Sequence, residues 1–230
     1  MLNIHENVNQ VPQKLIRQLQ KVEVATISHV YDEYVSDNSF QVNYLNTRFA
    51  GTAVTVSIED EDAAVLHYTL DSLRPNDVLV VNIAQDIFRS CWGLVMHLAA
   101  SNKSISGVVI NGNITDIYSI RNNGIPIAFK GYTAKIFRQS LGSFGGVNIP
   151  ILIDRLIINP GDAVVVDECG IAAIMPSKLE DVVKKCLEIQ SKEPGVIYSL
   201  SNSQIGELSG SNKKIMNTLQ QQASIVKKDT

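Results

Sequence analysis

The chain has 230 residues, enough to bury a full hydrophobic core in one domain and leave room for an appendage. With 45% hydrophobic and 19% charged residues and a formal net charge of −3, it reads as a soluble globular protein without the clustered Lys and Arg of a nucleic-acid surface. No apolar stretch reaches the length of a membrane span, and the opening "MLNIHENVNQ" has no signal-peptide core, so a cytoplasmic protein with no membrane or nucleic-acid contact is expected. Cys91, Cys169 and Cys186 are odd in number and form no C-x-x-C pair. They fit a reducing compartment and argue against a disulfide framework or a structural zinc site. Asn113-Ile114-Thr115 is then not a glycosylation site.

In chain order, Val11, Leu15 and Leu19 recur at helical spacing and predict a helix over about residues 11 to 21. "TISHVYDEYVS" predicts a second, with Thr26 as its cap. "FAGTAVTVSI" alternates like a strand, "EDAAVLHYTLDSL" reads as a helix, and "RPND" turns the chain into "VLVVNIA", a strand buried on both faces. "FRSCWGLVMHLAAS" predicts the next helix and "GVVIN" the next strand. A short helix over about Thr115 to Asn122 stops at Asn123-Gly124, ahead of the strand "IPIAFKG". Strand and helix alternating at these spacings predict a parallel sheet with right-handed crossovers.

From "LGSFGGVNIP" onward, short β runs separated by "NPGD" and "DECG" predict mostly antiparallel strands or a β-barrel-like layer. "PSKLEDVVKKCLEIQ" is a helix in which Ser177 and Glu180 have capping-box spacing. After Pro194-Gly195 the chain turns rich in Ser, Asn and Gln, with a last helix around Lys213 to Val226. The expected division is therefore a main domain over 1–195 and a helical appendage over 196–230, packed on the domain or on a neighbouring subunit.

Two stretches suit chemistry. "GVVINGNITD" ends a parallel strand and opens a helix, placing Asp116 at the edge where open α/β sheets bind ligands. A helix N-terminus there offers free N–H groups, and Mg²⁺ needs only one or two protein carboxylates because it keeps several waters. Against this, Asp is also a preferred helix cap. In "CWGLVMH", Gly93 inside a helical pattern marks either a helix start or a close backbone approach, whereas His97 on an apolar helix reads as a satisfied core residue. "GSFGGVNIP" lacks the order of a nucleotide loop, and no Ser-His-Asp or Cys-His arrangement emerges from the spacing.

Taken together, "FAGTAVTV", "RPNDVLVVNIA", "CWGLVMHLAA", "GVVINGNITD", "GIPIAFKGYTA" and "GGVNIPILIDRLIINPGDAVVVDECGIAAI" resemble the RraA-like proteins. That family includes the 4-hydroxy-4-methyl-2-oxoglutarate aldolases and the regulator of ribonuclease activity A. The resemblance covers roughly residues 20 to 190. It implies an α/β fold of the α/β/β swivelling-domain type, with parallel strand-helix units plus a β-barrel-like layer. It further implies a homotrimer or dimer of trimers with active sites between subunits. The activity implied is that of a lyase using Mg²⁺ or Mn²⁺ to cleave a pyruvate-derived 2-keto acid, by aldolase or oxaloacetate-decarboxylase chemistry.

By the same resemblance the metal-binding Asp falls on Asp116, and substrate contacts fall on Gly93, Leu94, Val95, Met96 and Thr115, the last two amides of that helix turn being Val95 and Met96. No catalytic residue is assigned. The family's substrate Arg is replaced by Thr115, and its two further acidic positions by Leu94 and Ser119. Leu94 is expected to line the pocket with hydrocarbon. Lys130 is the candidate replacement cation, Arg121 a poor one, and Glu188 or Glu193 the candidate acid from a neighbouring subunit. The alternative function is a catalytically inactive member that binds a protein partner or regulates as an oligomer.

Overall fold

Four hydrophobic runs form the centre of the sheet in the computed structural model, which describes residues 2–6, 8–36, 40–59, 63–84, 88–137, 144–201 and 215–222. The first half contains β1 Leu2–Ile4, α1 Gln13–Leu19, α2 Val24–Ser28, a 3-10 turn at Asp32–Tyr34, β2 Gln41–Val42, β3 Phe49–Ile58, α3 Ala64–Ser72 and β4 Asp77–Ile83. The sheet continues through β5 Ser90–Trp92, α4 Leu94–Ser101, β6 Gly107–Ile114, α5 Ile117–Ile120 and β7 Ile127–Tyr132. There follow β8 Gly145–Val147, β9 Ile151–Ile153, β10 Leu156–Ile158, β11 Ala163–Asp167, β12 Gly170–Ile174, α6 Pro176–Gln190 and α7 Glu193–Ser201. Residues 215–222 are also helical.

Strands β3, β4, β6 and β7 pair in parallel in that order. Because successive side chains in a strand point to opposite faces, each apolar run feeds two cores. Val56, Leu79, Val81, Ile110 and Phe129 pack beneath α3, α4 and α5. Ala53, Val78, Val80, Val109 and Ala128 face the other way, onto Ile153, Ile158, Val164 and Val166 of the later strands. There β11 pairs antiparallel with both β3 and β12, and β9 with β10. The layers are thus helices, sheet and a second β layer, as expected from the sequence.

Three local expectations change. Helix α2 starts at Val24, not after a Thr26 cap: Thr26 is buried inside it, and the Asp167 carboxylate accepts the Val24 N–H at 3.0 Å from far along the chain. The predicted single helix over "FRSCWGLVMHLAAS" is a strand followed by a helix, because Ser90 and Trp92 pair in parallel with the end of β6. Helix α6 starts at Pro176, so Ser177 lies within it and is no cap; proline suits a first turn because it has no N–H to satisfy. The same reason admits Pro194 to the first turn of α7.

The chain divides into two compact units, Met1–Cys186 and Leu187–Thr230, earlier than the change of composition after Gly195. In the first, α6 buries Leu179, Val182, Val183 and Cys186. In the second, α7 leaves Val196, Ile197 and Tyr198 exposed, as residues 215–222 leave Ile215, Met216 and Leu219. Among the described residues no helix is long and apolar enough to cross a membrane.

Gly107 opens β6 directly over the Phe49 ring, where an added Cβ would lie 2.4 Å from two ring carbons. Phe49 is itself buried in the second core and cannot swing out. Gly107→Ala should therefore destabilise the fold by about 1–3 kcal/mol through overpacking, read as a lower midpoint in urea with an unchanged slope.

Candidate functional site

Asp116 follows β6 in the left-handed region, with φ 55° and ψ 30°. It makes no side-chain cap to its own helix α5. Instead its Oδ2 accepts the N–H of Leu94 at 3.0 Å, the first residue of α4. Two consecutive crossover turns are thereby joined at the carboxyl ends of parallel strands. Their backbones are joined too, since the Thr115 N–H donates to the Trp92 carbonyl at 2.9 Å.

Gly93 makes this approach possible. Its φ of −132° and ψ of −174° suit any residue, so the need is spatial. A Cβ there would lie 2.8 Å from Asp116 Oδ2 and 3.0 Å from Thr115 Cγ2. The other carboxylate oxygen, Oδ1, has only a long contact at 3.4 Å with the Thr115 hydroxyl. Asp116 is exposed and makes no ion pair among the described residues.

These residues border a cleft of about 340 Å³ lined by Gly93, Val95, Met96, Thr115 and Asp116, with Ala63, His67, Ser90, Cys91, Trp92, Ile136 and Phe137. The structure brings the expected site residues together, with one change. Leu94 is not in the lining: only its N–H reaches the site, and its side chain packs on the helix-side core. A leucine gains free energy by that burial, so it turns inward and does not coat the pocket. Val95 projects into solvent at 82% exposure. The first-turn N–H groups of Val95 and Met96 have no carbonyl partner within their own helix.

Cys91 forms part of the floor, and burial pushes its thiol up to about 12, so it acts as a small hydrophobe there. His67, on the exposed face of α3, is the ionisable residue among the lining side chains that the sequence did not single out, beside Ala63, Ser90, Ile136 and Phe137. Beneath the floor His97 is fully buried, with Nδ1 3.3 Å from Trp92 Nε1 and Nε2 3.2 Å from the Asn123 carbonyl.

The expected cation replacement fails. Lys130 pairs with Asp154 at 3.1 Å and lies 3.9 Å from the Phe40 ring centroid. Strand parity explains this: Lys130 shares a face of β7 with Ala128, away from α5. Arg121 is exposed at the end of α5 and is absent from the cleft lining, and Ser119 also stays outside it. Glu188 and Glu193 belong to the second compact unit. A second cleft, about 350 Å³, is lined by Glu23, Arg48, Asp167, Glu168 and Cys169. Its charges answer one another, with Arg48 3.4 Å from both Glu23 and Asp167, and they fix α2 against the turn after β11.

A family model described as "RraA-like: Aldolase/RraA" matches residues 24–173. The chain belongs to the RraA-like family. A protein of Halalkalibacterium halodurans named "Putative 4-hydroxy-4-methyl-2-oxoglutarate aldolase" is 27% identical over 158 residues, which span 69% of this chain and 74% of the relative. Legionella pneumophila DlpA is 27% identical over 133 residues, 58% of this chain and 22% of that protein. Among solved structures, Streptomyces coelicolor RraAS2 superposes with a TM-score of 0.73 at 24% identity, over 82% of this chain and 98% of that one. The RNA-processing inhibitor RraA from Thermus thermophilus gives 0.60 at 24%, over 66% and 92%. The solved structures establish the fold, and the family model establishes the family.

Among the described residues no three His, Cys, Asp or Glu side chains gather as a metal cage. Among the described residues that line the cleft, Asp116 supplies the only carboxylate. Because Asp116 also closes the α4 terminus from a left-handed backbone, stability and ligand binding can be separated by substitution. Asp116→Asn keeps an acceptor and tolerates positive φ, and should leave the thermal midpoint nearly unchanged. Asp116→Ala loses both and should cost about 1–3 kcal/mol in chemical denaturation.

Proposed function

We propose that this chain is a divergent RraA-like lyase, of aldolase or oxaloacetate-decarboxylase type, acting on a small pyruvate-derived 2-keto acid with Mg²⁺ or Mn²⁺ at Asp116. The observation that carries this reading is the convergence of one exposed carboxylate with the start of α4 on a single cleft. Asp116 Oδ2 is engaged by Leu94, whereas Oδ1 has only the long Thr115 contact, so one oxygen is left for a cation. One protein carboxylate plus waters is an ordinary environment for Mg²⁺. The ion would supply the positive charge that a 2-keto acid needs as a carbon–carbon bond breaks beside its carbonyl.

The remaining work falls to the protein. The N–H groups of Val95 and Met96, at the positive end of α4, suit a substrate carboxylate. His67 lines the same cleft and is suited to carry a proton to or from the substrate carbon. Cys91, Trp92 and Phe137 make one wall apolar and limit water. Thr115 stands where the resemblance implies an Arg, and its neutral side chain cannot pair with a second carboxylate. The reading therefore expects dicarboxylates such as oxaloacetate to bind more weakly than an Arg at this position would allow, so that turnover needs high substrate.

Exposed apolar side chains, Val95 and Ile136, stand in the cleft wall, and Tyr118, two residues beyond Asp116, is also exposed. They support packing of a second copy against the cleft, in a trimer or dimer of trimers of a cytoplasmic protein. The same side chains, together with the replaced charges at Leu94, Thr115 and Ser119, favour the second reading, a catalytically silent oligomer that docks a protein partner.

Oxaloacetate decarboxylation at millimolar Mg²⁺ or Mn²⁺, paired with Mn²⁺ titration in the presence of oxalate, separates the two. The lyase reading expects metal-dependent turnover that falls at least about 100-fold in Asp116→Asn while the fold is retained. Absence of both turnover and Mn²⁺–oxalate binding in the parent chain would leave the docking reading standing.

A further inference from the structure

We propose that His97 is a positioning residue for the cleft: its neutral imidazole holds the Trp92–Gly93–Leu94 turn in place, and its protonation releases that turn. The inference rests on the cleft being the ligand site proposed above. Two acceptor–donor requirements fix the tautomer. An indole N–H can only donate, so His97 Nδ1, 3.3 Å from Trp92 Nε1, must accept. A backbone carbonyl can only accept, so Nε2, 3.2 Å from the Asn123 oxygen, must carry the hydrogen. The neutral Nε2–H form satisfies both, and no other form does.

The ring is held from several sides. It meets Trp92 edge-on, with centroids 6.4 Å apart and an interplanar angle of 86°. Gly124, at φ +83°, leaves it room, since a Cβ there would lie 2.6 Å from both Cδ2 and Nε2. The His97 N–H closes the first turn of α4 on the Gly93 carbonyl at 3.0 Å, and its own carbonyl accepts the Ser101 hydroxyl at 2.7 Å. One side chain thereby ties the floor tryptophan to the loop after α5. Helix α5 is thereby tied to the first turns of α4 from both of its ends, by Asp116 before it and by Asn123 after it.

A proton added at Nδ1 would set two donors face to face across 3.3 Å and place a positive charge in a fully buried position. Burial lowers the His97 pKa from the ordinary imidazole value, partly opposed by the carbonyls of Asn123 and Ile125, and no charged group contributes. The sign follows. With the folded pKa below the unfolded one, the contribution of His97 is complete above the ordinary imidazole range. It is lost as pH falls through that range towards the folded pKa, because only the unfolded chain binds the proton.

Trp92 is the sole tryptophan of the chain, so its emission reports this contact directly. The test titrates fluorescence of the full chain from pH 8 to 4 without metal or substrate, in the parent protein, His97→Gln and His97→Leu. Glutamine can accept from the indole and donate to the carbonyl but cannot titrate. The parent should show a transition below the ordinary imidazole range that is absent in His97→Gln. At pH 7.5, Mn²⁺–oxalate affinity should be kept in His97→Gln and fall about tenfold in His97→Leu, roughly the effect of losing one hydrogen bond. A flat parent titration, or the same transition in His97→Gln, overturns the proposal, even where His97→Leu fails to fold. Should the parent neither bind Mn²⁺–oxalate nor turn over oxaloacetate, the lyase reading falls, and the metal-free fluorescence still decides the role of His97.

Discussion

The hydrogen bond from the Leu94 amide to Asp116 is the constraint around which the cleft is built. It spans two successive crossovers of the parallel sheet, so it fixes the start of α4 relative to the end of β6. A cap of this kind is worth about 0.5–2 kcal/mol, modest beside the core, but its geometric demands are strict. It needs a left-handed backbone at Asp116, no side chain at residue 93, and the Thr115–Trp92 backbone bond that aligns the two turns. Strand β5, only three residues long, exists because that alignment lets Ser90 and Trp92 pair with the tip of β6.

On the lyase reading the same carboxylate serves stability and chemistry at once. A helix terminus attracts an anion, and the bond to Leu94 draws negative charge towards α4 through one oxygen. The second oxygen, with its weak Thr115 contact, is what a cation can use. Binding there would not break the cap. The turn does not depend on what residue 94 carries as a side chain: the Leu94 backbone does the structural work and its side chain joins the core.

Much of the fold was legible because it follows local rules. Strands buried on both faces read as continuous apolar runs, and "VLVVNIA" became β4 for that reason. What escaped the sequence was set by partners far along the chain. Asp167 caps α2 and Asp116 caps α4, so Thr26 and the start of α5, the locally sensible sites, were the wrong ones. Gly93 was legible as a close approach, but not the atom it makes room for. Two signals were present and went unused. The parity of β7 puts Lys130 beside Ala128 on the far face, and the polar side of α3 carries His67 towards the strand ends.

Whether Asp116 is more than a cap turns on what a cap does not require. Gly93, the left-handed backbone and the Leu94 bond are all explained by capping alone, so none of them argues for chemistry. A cap functions equally well under a filled surface, and side chains close-pack wherever nothing prevents it. Here the carboxylate instead opens on a cleft of about 340 Å³, beside the start of α4 and an imidazole. The exposed Val95 stands at its edge where it could have folded over it. Open space next to an anion and free amide donors is what a small anionic ligand with a cation fills, and it is this space, not the aspartate, that distinguishes a binding site from a helix terminus.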